Sequence, residues 1–187
     1  MQISEEYRKL NKELHQTNEA YGVSSSKWVG VVSELIVAYK IKSVLDYGCG
    51  KGKLSKGIGV EVENKGSALN NMLLQEKSAL SVFEYDPCIE GKDSPPSPAE
   101  MVVCTDVLEH IEPECLDAVL DHIQSLATKG AFLTVAMRPA KKILADGRNA
   151  HLIQEGAGWW LPKLMERFKL IAYRDLGGEF LVILEKK

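Results

Sequence analysis

The sequence predicts an α/β protein with a mostly parallel, doubly wound sheet in a three-layer α/β/α arrangement, ending in an antiparallel C-terminal hairpin. Two observations support this fold class. Short apolar runs rich in β-forming residues alternate with amphipathic helical segments along most of the 187 residues. The first of these runs leads into a glycine-rich turn, which is typical of the ligand-binding edge of an open parallel sheet.

Length and composition indicate one globular domain over residues 1–187. Hydrophobic residues make up 45% of the chain and charged residues 26%, as in soluble proteins. The net charge of -3 argues against a surface dedicated to nucleic-acid backbone. Because no apolar run has membrane-spanning length and Met1–Leu14 is unlike a signal peptide, we expect a cytoplasmic protein with no membrane contact. The four cysteines form no C-x-x-C pair and are expected to be buried and reduced.

Two helices are predicted within the first 40 residues. Glu5–Glu19 carries apolar positions at spacings of three and four, which is typical of an amphipathic helix. Ser24–Ser26 offers N-caps to a second helix that extends to Tyr39. Tyr21 and Trp28 are expected to pack in the core or in a lid, and lining the mouth of a ligand site is the alternative.

The segment around which the chain is organised is Ser43–Leu54, with the sequence SVLDYGCGKGKL. Its first half is predicted to be a buried strand, with Asp46 at the carboxyl end where ligands dock in open sheets. Three alternating glycines follow: Gly48, Gly50 and Gly52. Glycine permits positive φ and close approach of a ligand, and we expect backbone N–H groups of the turn to face that ligand. The patterns of phosphate-binding loops and of G-x-G-x-x-G dinucleotide sites are not met.

The segment after the glycine turn has the least regular pattern. A helix beginning at Lys53 is predicted to break at Gly57–Gly59, and Val60–Glu63 alternates like a short strand. Ser67–Lys77 is helical in pattern. We treat residues 57–80 as a candidate insertion.

Ser81–Tyr85 is predicted as the second strand, and it ends at Asp86. An acidic residue at this point accepts hydrogen bonds from ribose hydroxyls in nucleotide-binding α/β folds. A turn role before proline is the alternative interpretation of Asp86, and Glu84 or Glu61 are alternative acidic groups. Residues 88–100 are too short and too rich in proline for a helix and a strand, so the sheet is expected to be reduced in its middle.

Strands and helices continue to alternate in the second half of the chain. The predicted elements are Met101–Thr105 (strand), Glu114–Ala127 (helix), Ala131–Ala136 (strand), a helix carrying Trp159 to Phe168, and the hairpin strands Leu170–Tyr173 and Phe180–Leu184. A long polar loop, residues 137–151, follows a strand at the edge where α/β enzymes place substrate contacts.

Two motifs together resemble class I S-adenosylmethionine-dependent methyltransferases. The Asp-x-Gly-x-Gly-x-Gly turn resembles their first motif, and Asp106–Pro113 (DVLEHIEP) resembles the run after their fourth strand that borders the transferable methyl group. The resemblance covers roughly Ser26 to Asn149 and implies a Rossmann-like fold with S-adenosylmethionine as cofactor. The residues that it implies as cofactor contacts are Asp46, Gly48, Gly50, Gly52, Asp86, Thr105 and Asp106. Residues 88–100 depart from the family pattern, which places a helix, a strand and an adenine-contacting acidic residue there.

Methyl transfer from a sulfonium is an in-line displacement that needs alignment of the reactants and, for a hydroxyl acceptor, removal of a proton. His110 and His151 are the candidate bases, because histidine titrates near neutral pH. A pocket-shaping hydrogen bond is the alternative for His110, and a surface position is the alternative for His151. His15 and His122 fall on predicted solvent faces of helices and are set aside.

A metal site is a second interpretation of the same region. If a helix begins at Asp106, then Asp106, Glu109 and His110 share one face, and His151 would complete an oxygen and nitrogen ligand set suited to Mg²⁺, Mn²⁺ or Fe²⁺. The arrangement is similar to the Glu-x-x-Glu-His run plus a distal histidine of small-RNA 3′-terminal 2′-O-methyltransferases, and to the same run in ubiquinone-biosynthesis O-methyltransferases. This chain has Asp at the first position.

Cations in the polar loop of residues 137–151 predict an anionic acceptor, since Arg forks onto phosphate or carboxylate. The candidate substrate contacts are Arg138, Lys141, Arg148 and, through stacking, Trp159. A solvated basic stretch and a core role for Trp159 are the alternatives. We therefore predict a methyltransferase acting on an oxygen, nitrogen or carboxylate of a small anionic molecule. The alternatives are a metal-assisted RNA 2′-O-methyltransferase, with nucleic acid as partner, and a non-catalytic cofactor-binding module. The sequence indicates no oligomeric state.

Overall fold

A computed structural model describes residues 3–19 and 21–187, so that residues 1, 2 and 20 lie outside the described part. Its α-helices are Glu5–Thr17 (α1), Val29–Tyr39 (α2), Lys53–Glu63 (α3), Ala68–Glu76 (α4), Leu116–Leu126 (α5) and Ala157–Arg167 (α6). Its strands are Ser43–Tyr47 (β1), Ser81–Tyr85 (β2), Ala99–Thr105 (β3), Ala127–Ala136 (β4), Phe168–Asp175 (β5) and Glu179–Lys186 (β6).

The six strands form one sheet in the order β2-β1-β3-β4-β6-β5. β1 to β4 are parallel, and β6 pairs antiparallel with both β4 and β5. The predicted α/β fold, with its parallel sheet and antiparallel terminal hairpin, is therefore confirmed. The chain between Asp86 and Pro98, which is fully described, contains no helix or strand, so the sheet is reduced as predicted.

Alternating side chains of the central strands build two cores on opposite faces of the sheet. On one face Leu45 and Leu133 pack with the apolar face of α5 and with Trp160 of α6. On the other face Val44 and Phe132 pack with apolar residues of α2, α3 and α4. Because neighbouring residues of a strand point to opposite faces, a continuous apolar run serves both cores.

The predicted break and strand between Gly57 and Glu63 are wrong, because α3 runs through both glycines to Glu63. Leu54 and Ile58, one helical turn apart, are fully buried, whereas Val60 is 65% exposed. Val60 therefore lies on the outer side of the helix, whereas Val62 packs against the core on this face of the sheet. Gly57 fits against Val29 of α2, where a β-carbon would clash with the valine side chain, so this glycine serves helix packing and does not end the helix.

The start of α2 also differs from the prediction. Ser24–Trp28 forms a 3₁₀ turn that leads directly into α2, and no side chain of the described residues caps that helix. Ser26 Oγ donates instead to the carbonyl of Val23 at 3.1 Å. α1 ends at Thr17, and the predicted helix end that follows it includes residue 20, outside the described residues. Within residues 3–19 and 21–187, none of the helices has the length and apolar character needed to cross a membrane.

Candidate active site

A cavity of about 390 Å³ opens at the carboxyl ends of β1, β2 and β3. Its walls come from the glycine turn after β1, the segments after β2 and β3, one face of α1, residues 21–25 and the loop after β4. The carboxyl edge of a parallel sheet is where ligands bind in open α/β folds. The chain thus gathers both of its motifs at one cavity.

The glycine turn forms one wall with its backbone. Gly48, Gly50 and Gly52 all have positive φ (72°, 52° and 65°), which β-carbons disfavour. A β-carbon on Gly50 would also lie 2.6 Å from the carbonyl oxygen of Gly22, which crosses the turn closely. The alternating glycines are therefore required by the path of the chain.

The expectation that N–H groups of this turn face a ligand is wrong. The amides of Gly48 and Cys49 donate to the Tyr85 carbonyl at 2.8 and 3.1 Å, and that of Lys51 donates to the Gly22 carbonyl at 2.9 Å. The Gly50 amide donates to Asp86 Oδ2 at 3.0 Å. Because positive φ angles turn these amides toward β2 and Gly22, the turn offers a ligand a smooth backbone surface and not a row of donors.

Asp86 lies in the cavity wall at the end of β2 and is 6% exposed. Besides the Gly50 amide it accepts a hydrogen bond from the Cys88 amide at 2.9 Å, so the carboxylate is held in one orientation. Of the alternative acidic residues, Glu84 is paired with Lys92 at 2.7 Å and Glu61 belongs to α3. Both lie outside the cavity wall, and Asp86 is the one of the three that faces the cavity.

Two of the predicted cofactor contacts do not line the cavity: Asp46, near the end of β1, and Gly52, the last glycine of the turn. Asp46 is 1% exposed, and its Oδ2 has no hydrogen-bond partner among the described residues. Burial raises the pKa of Asp46 to about 7, and the nearby Glu84 carboxylate acts in the same direction. A β-carbon on Gly52 would clash with the Glu84 carboxylate, so glycine at this position leaves room for the Glu84 side chain.

Thr105 and Asp106 line the cavity at the end of β3. Asp106 has a φ of 55° and does not begin a helix; a 3₁₀ turn, Leu108–His110, follows it. Its carboxylate lies 3.6 Å from Lys27 Nζ and accepts from Thr134 Oγ1 at 3.4 Å. The predicted helical face shared by Asp106, Glu109 and His110 is therefore wrong, because the left-handed residue turns Asp106 away from the other two.

Glu109, His110 and His151 nevertheless come together, with one potential ligand atom of each within 4.8 Å of the others. His110 Nδ1 donates to the Ala150 carbonyl at 2.7 Å, and His151 Nδ1 donates to the Arg138 carbonyl at 2.6 Å. A carbonyl only accepts, so in the neutral form of each ring Nδ1 carries the proton and Nε2 keeps its lone pair. The backbone of the loop after β4 thus selects one tautomer for both neutral imidazoles.

The Glu109 carboxylate is fully buried beside these imidazoles. Its Oε1 accepts from the Ala136 amide at 3.0 Å, while Oε2 has no hydrogen-bond partner in the described part of the chain. Burial and the Asp106 charge raise the pKa of Glu109 to about 8. Glu109 Oε2, once deprotonated, and the Nε2 atoms of the two neutral imidazoles form an oxygen and nitrogen set that suits a divalent cation, which would displace the Glu109 proton. Three of the four predicted ligands are thus present, and Asp106 lies outside the set.

His110 does not titrate near neutral pH as expected. Burial and the neighbouring His151 lower the pKa of His110 to about 4. The two rings are perpendicular, with their centroids 4.8 Å apart. At neutral pH His110 is therefore an uncharged acceptor, and its proton-accepting strength is below that of free histidine.

The predicted acceptor contacts divide into two groups. Arg138 and Lys141 line the cavity, as does the neighbouring Lys142, whose ammonium lies 4.6 Å from the centroid of the Tyr21 ring. The structure places Arg148 and Trp159 outside the cavity wall. The Arg148 guanidinium pairs with Asp146 at 2.7 Å, and Trp159 packs edge-on against Trp160 in α6.

Sequence reasoning missed the contribution of α1. Tyr7, Asn11 and His15 line the cavity, and His15 Nε2 lies 4.0 Å from Asp86 Oδ2. His15 was predicted on a solvent face, as was His122, whose Nδ1 lies 2.9 Å from the Tyr47 hydroxyl; both predictions are wrong. The available signal is the spacing of four between Tyr7, Asn11 and His15, which places an aromatic and two polar side chains on one helical face.

Known proteins share the family and the fold of this chain. The family described as "Methyltransferase domain" matches residues 5–180. None of the curated proteins compared with the chain matches it in sequence. Magnesium protoporphyrin IX methyltransferase (ChlM) from Synechocystis PCC 6803, solved with bound SAM, is 16% identical with a TM-score of 0.60, over 97% of both chains.

Two further solved structures have the same fold. N-methyltransferase NodS from Bradyrhizobium japonicum WM9, in complex with S-adenosyl-L-homocysteine, is 15% identical with a TM-score of 0.53, over 96% of this chain and 97% of that one. The 1,6-didemethyltoxoflavin-N1-methyltransferase from Burkholderia thailandensis is 14% identical with a TM-score of 0.57, over 97% and 89%. At these identities the likeness shows the fold alone.

Proposed function

This chain belongs to the class I S-adenosylmethionine-dependent methyltransferases, and from that premise we propose that it methylates an oxygen, nitrogen or carboxylate of a small anionic acceptor. The observation that carries the proposal is the single cavity in which Asp86, the glycine turn and the His110–His151 pair meet. In-line transfer requires donor and acceptor to share one such space.

The donor half of the proposal rests on the walls at the ends of β1, β2 and β3. Asp86 accepts the ribose hydroxyls, the smooth surface of Gly48 and Gly50 lies along the methionine chain, and Thr105 and Asp106 flank the sulfonium. Asp46 and Gly52 act from behind, by shaping the turn. ChlM and NodS were solved with SAM and S-adenosyl-L-homocysteine, which supports S-adenosylmethionine as the donor here.

The acceptor half rests on the loop after β4. Arg138 and Lys141 bring positive charge to the cavity wall, which favours a carboxylate or phosphate on the acceptor. His110 and His151 direct Nε2 lone pairs toward the same region and accept the proton that a hydroxyl or amine acceptor loses. Arg148 and Trp159 act indirectly at most, by supporting the loop and α6.

We test the acceptor class by incubating the protein with S-adenosylmethionine labelled at the methyl group and two fractions of one cell extract, small molecules and RNA. We expect label in the small-molecule fraction, and we expect that label to disappear when anions are removed from the fraction on an anion exchanger before the reaction. Label confined to RNA would overturn the proposal in favour of RNA 2′-O-methylation. Absence of label from both fractions, with S-adenosylhomocysteine binding intact, would indicate a non-catalytic binding module.

A second candidate is metal-assisted transfer, which the Glu109, His110 and His151 cluster favours. A divalent cation held there would act as a Lewis acid on an acceptor oxygen. Direct titration of Mn²⁺ into wild-type protein and into His151→Ala distinguishes the two candidates. Binding that His151→Ala abolishes, together with loss of transfer in chelator and recovery on adding Mn²⁺, supports the metal. Full activity in chelator excludes it and leaves the histidines as proton acceptors.

A further inference from the structure

α1 presents one side-chain face to the cavity. Tyr7 and Asn11 are 3% and 5% exposed, and both line the cavity wall. Hydrogen bonds fix α1 to the segment that follows β3 and to the segment that follows β2. The amide and hydroxyl of Ser4 donate to the Glu112 carboxylate, each at 2.7 Å, and Arg8 Nη1 donates to the Pro87 carbonyl at 3.0 Å. α1 therefore bridges the ends of β2 and β3.

The end of the cavity beyond Asp86 lies between α1 and these two segments. Its other walls are mostly apolar, being made by Pro87, Cys88 and Ile111. This inference rests on the proposed function, in which Asp86 binds the ribose and the methyl group lies near His110. In that arrangement the adenine of the cofactor lies at this end of the cavity. A flat base packs well between such walls, but its polar edge needs a donor and an acceptor. The segment between Cys88 and Ala99 contributes no further side chain to this cavity within the described residues.

Asn11 supplies a donor and an acceptor at this point. Its Oδ1 accepts from the Tyr21 hydroxyl at 2.9 Å, and its Nδ2 donates to the Tyr7 carbonyl at 3.2 Å. The Tyr7 carbonyl only accepts, so it fixes the nitrogen end of the amide, and the Tyr21 hydroxyl supports the oxygen end. A carboxamide has two lone pairs and two N–H bonds, so one of each stays available in a fixed arrangement.

We propose that Asn11 reads the amino edge of the cofactor's adenine, with the Tyr7 carbonyl setting the orientation of the amide and the Tyr21 hydroxyl supporting it. The free lone pair of Oδ1 accepts from the 6-amino group, and the free N–H of Nδ2 donates to the adjacent ring nitrogen. This is the bidentate pairing that an amide makes with adenine. A 6-oxopurine presents an acceptor where adenine presents a donor. The Tyr7 carbonyl opposes the amide flip that would accommodate it, because two acceptors would then face each other.

The test compares the affinity of the full-length protein for S-adenosylhomocysteine with that for S-inosylhomocysteine. We expect wild type to favour the adenine compound by roughly tenfold or more, the range for a bidentate contact. Asn11→Ala should reduce this ratio toward one by removing the contact, and Tyr21→Phe should reduce it in part, because Oδ1 loses the hydroxyl that supports its position. Gln16→Ala, at an exposed position of the same helix, should keep the wild-type ratio.

Two outcomes separate this inference from the proposed function on which it rests. If wild type binds S-adenosylhomocysteine and Asn11→Ala keeps the full preference for adenine, the role of Asn11 is disproved while the proposed cofactor site stands. If wild type binds neither compound, the proposed function fails. Tyr21→Phe leaves Asn11 in place, so it tests the same contact if Asn11→Ala weakens the fold; an unchanged ratio in Tyr21→Phe would overturn the supporting role of the Tyr21 hydroxyl.

Discussion

Asp86 and Asp46 are two carboxylates near one glycine turn whose surroundings give them different properties. Asp86 accepts two backbone N–H groups, which hold its carboxylate in one orientation at the cavity wall. Asp46 is 1% exposed and its Oδ2 is unpaired among residues 3–19 and 21–187, which favours its neutral form. One residue is therefore suited to bind hydroxyls, and the other affects stability.

We predict that Asp46 makes the protein less stable as pH rises. The pKa of Asp46 is about 7 in the folded protein and near 3.8 in the unfolded chain, so the folded state holds a proton that the unfolded state has released between these values. The stabilisation that the Asp46 proton gives the folded protein is fully present below about pH 4, and it is lost progressively as the pH rises to 7. The loss amounts to roughly 4 kcal/mol at most, at about 1.4 kcal/mol per pH unit.

Urea unfolding of the apoprotein at pH 5 and pH 8 checks this prediction. Asp46→Asn, which cannot ionise, should be more stable than wild type at pH 8 and should show a smaller fall between the two pH values. Asp93→Asn, at an exposed position of the loop after β2, is the control and should follow wild type. Equal pH dependence in wild type and Asp46→Asn would show that Asp46 is ionised in the fold.

At the residue scale, the sequence predicted which side chains meet at the site, but it did not predict their backbone conformation or their burial. Glu109, His110 and His151 were predicted as neighbours and are neighbours, because the motif and the loop after β4 meet at one sheet edge. The sequence pattern could not show that Asp106 adopts a left-handed conformation, which removes it from the set. It also could not show the burial that lowers the pKa of His110, since burial depends on distant chain segments.

At the element scale, α3 shows how one residue type serves two purposes within a single helix. Gly57 lies against Val29 of α2, whereas a β-carbon built on Gly59 has no described atom within 4 Å. Both were predicted to break the helix, because glycine lowers helix propensity. Packing against α2 overrides that preference, and the sequence alone does not show which glycine faces a neighbouring helix.

We predict opposite effects for alanine at these two glycines. Gly57→Ala should destabilise the protein by about 1–3 kcal/mol, because the added methyl group forces α3 away from α2. Gly59→Ala should stabilise it by up to about 1 kcal/mol, because alanine favours the helix and meets nothing. Chemical unfolding of both variants beside wild type measures the difference. Equal effects at both positions would contradict the packing role of Gly57.

α1 is the element whose role was least apparent before the structure. Its pattern predicts an amphipathic helix, and this is confirmed with an end at Thr17. The pattern does not show that Tyr7, Asn11 and His15 face a cavity, because a polar helical face looks the same whether it borders solvent or a ligand. Only the contacts of Ser4 with Glu112 and of Arg8 with Pro87 place this face over the site.

At the scale of the whole molecule, the order of strands and motifs could be predicted because it follows from local periodicity. Each parallel strand ends at the same edge, so two motifs that follow strands meet without further information. The shortened segment after β2 was equally visible, since Pro95, Pro96 and Pro98 leave no room for a helix and a strand. Its consequence, that α1 closes the site at that end, depends on contacts between segments about 80 residues apart.

The central claim is that the cavity bounded by Asp86 and the glycine turn binds S-adenosylmethionine. Calorimetric titration with S-adenosylhomocysteine tests it most directly, on wild type, on Asp86→Asn and on Glu90→Gln, an exposed acidic position in the same loop. We predict binding by wild type and Glu90→Gln, and affinity at least roughly tenfold weaker for Asp86→Asn because hydrogen bonds to a charged acceptor are lost. No heat of binding with wild type, or equal affinity in all three proteins, would contradict the claim.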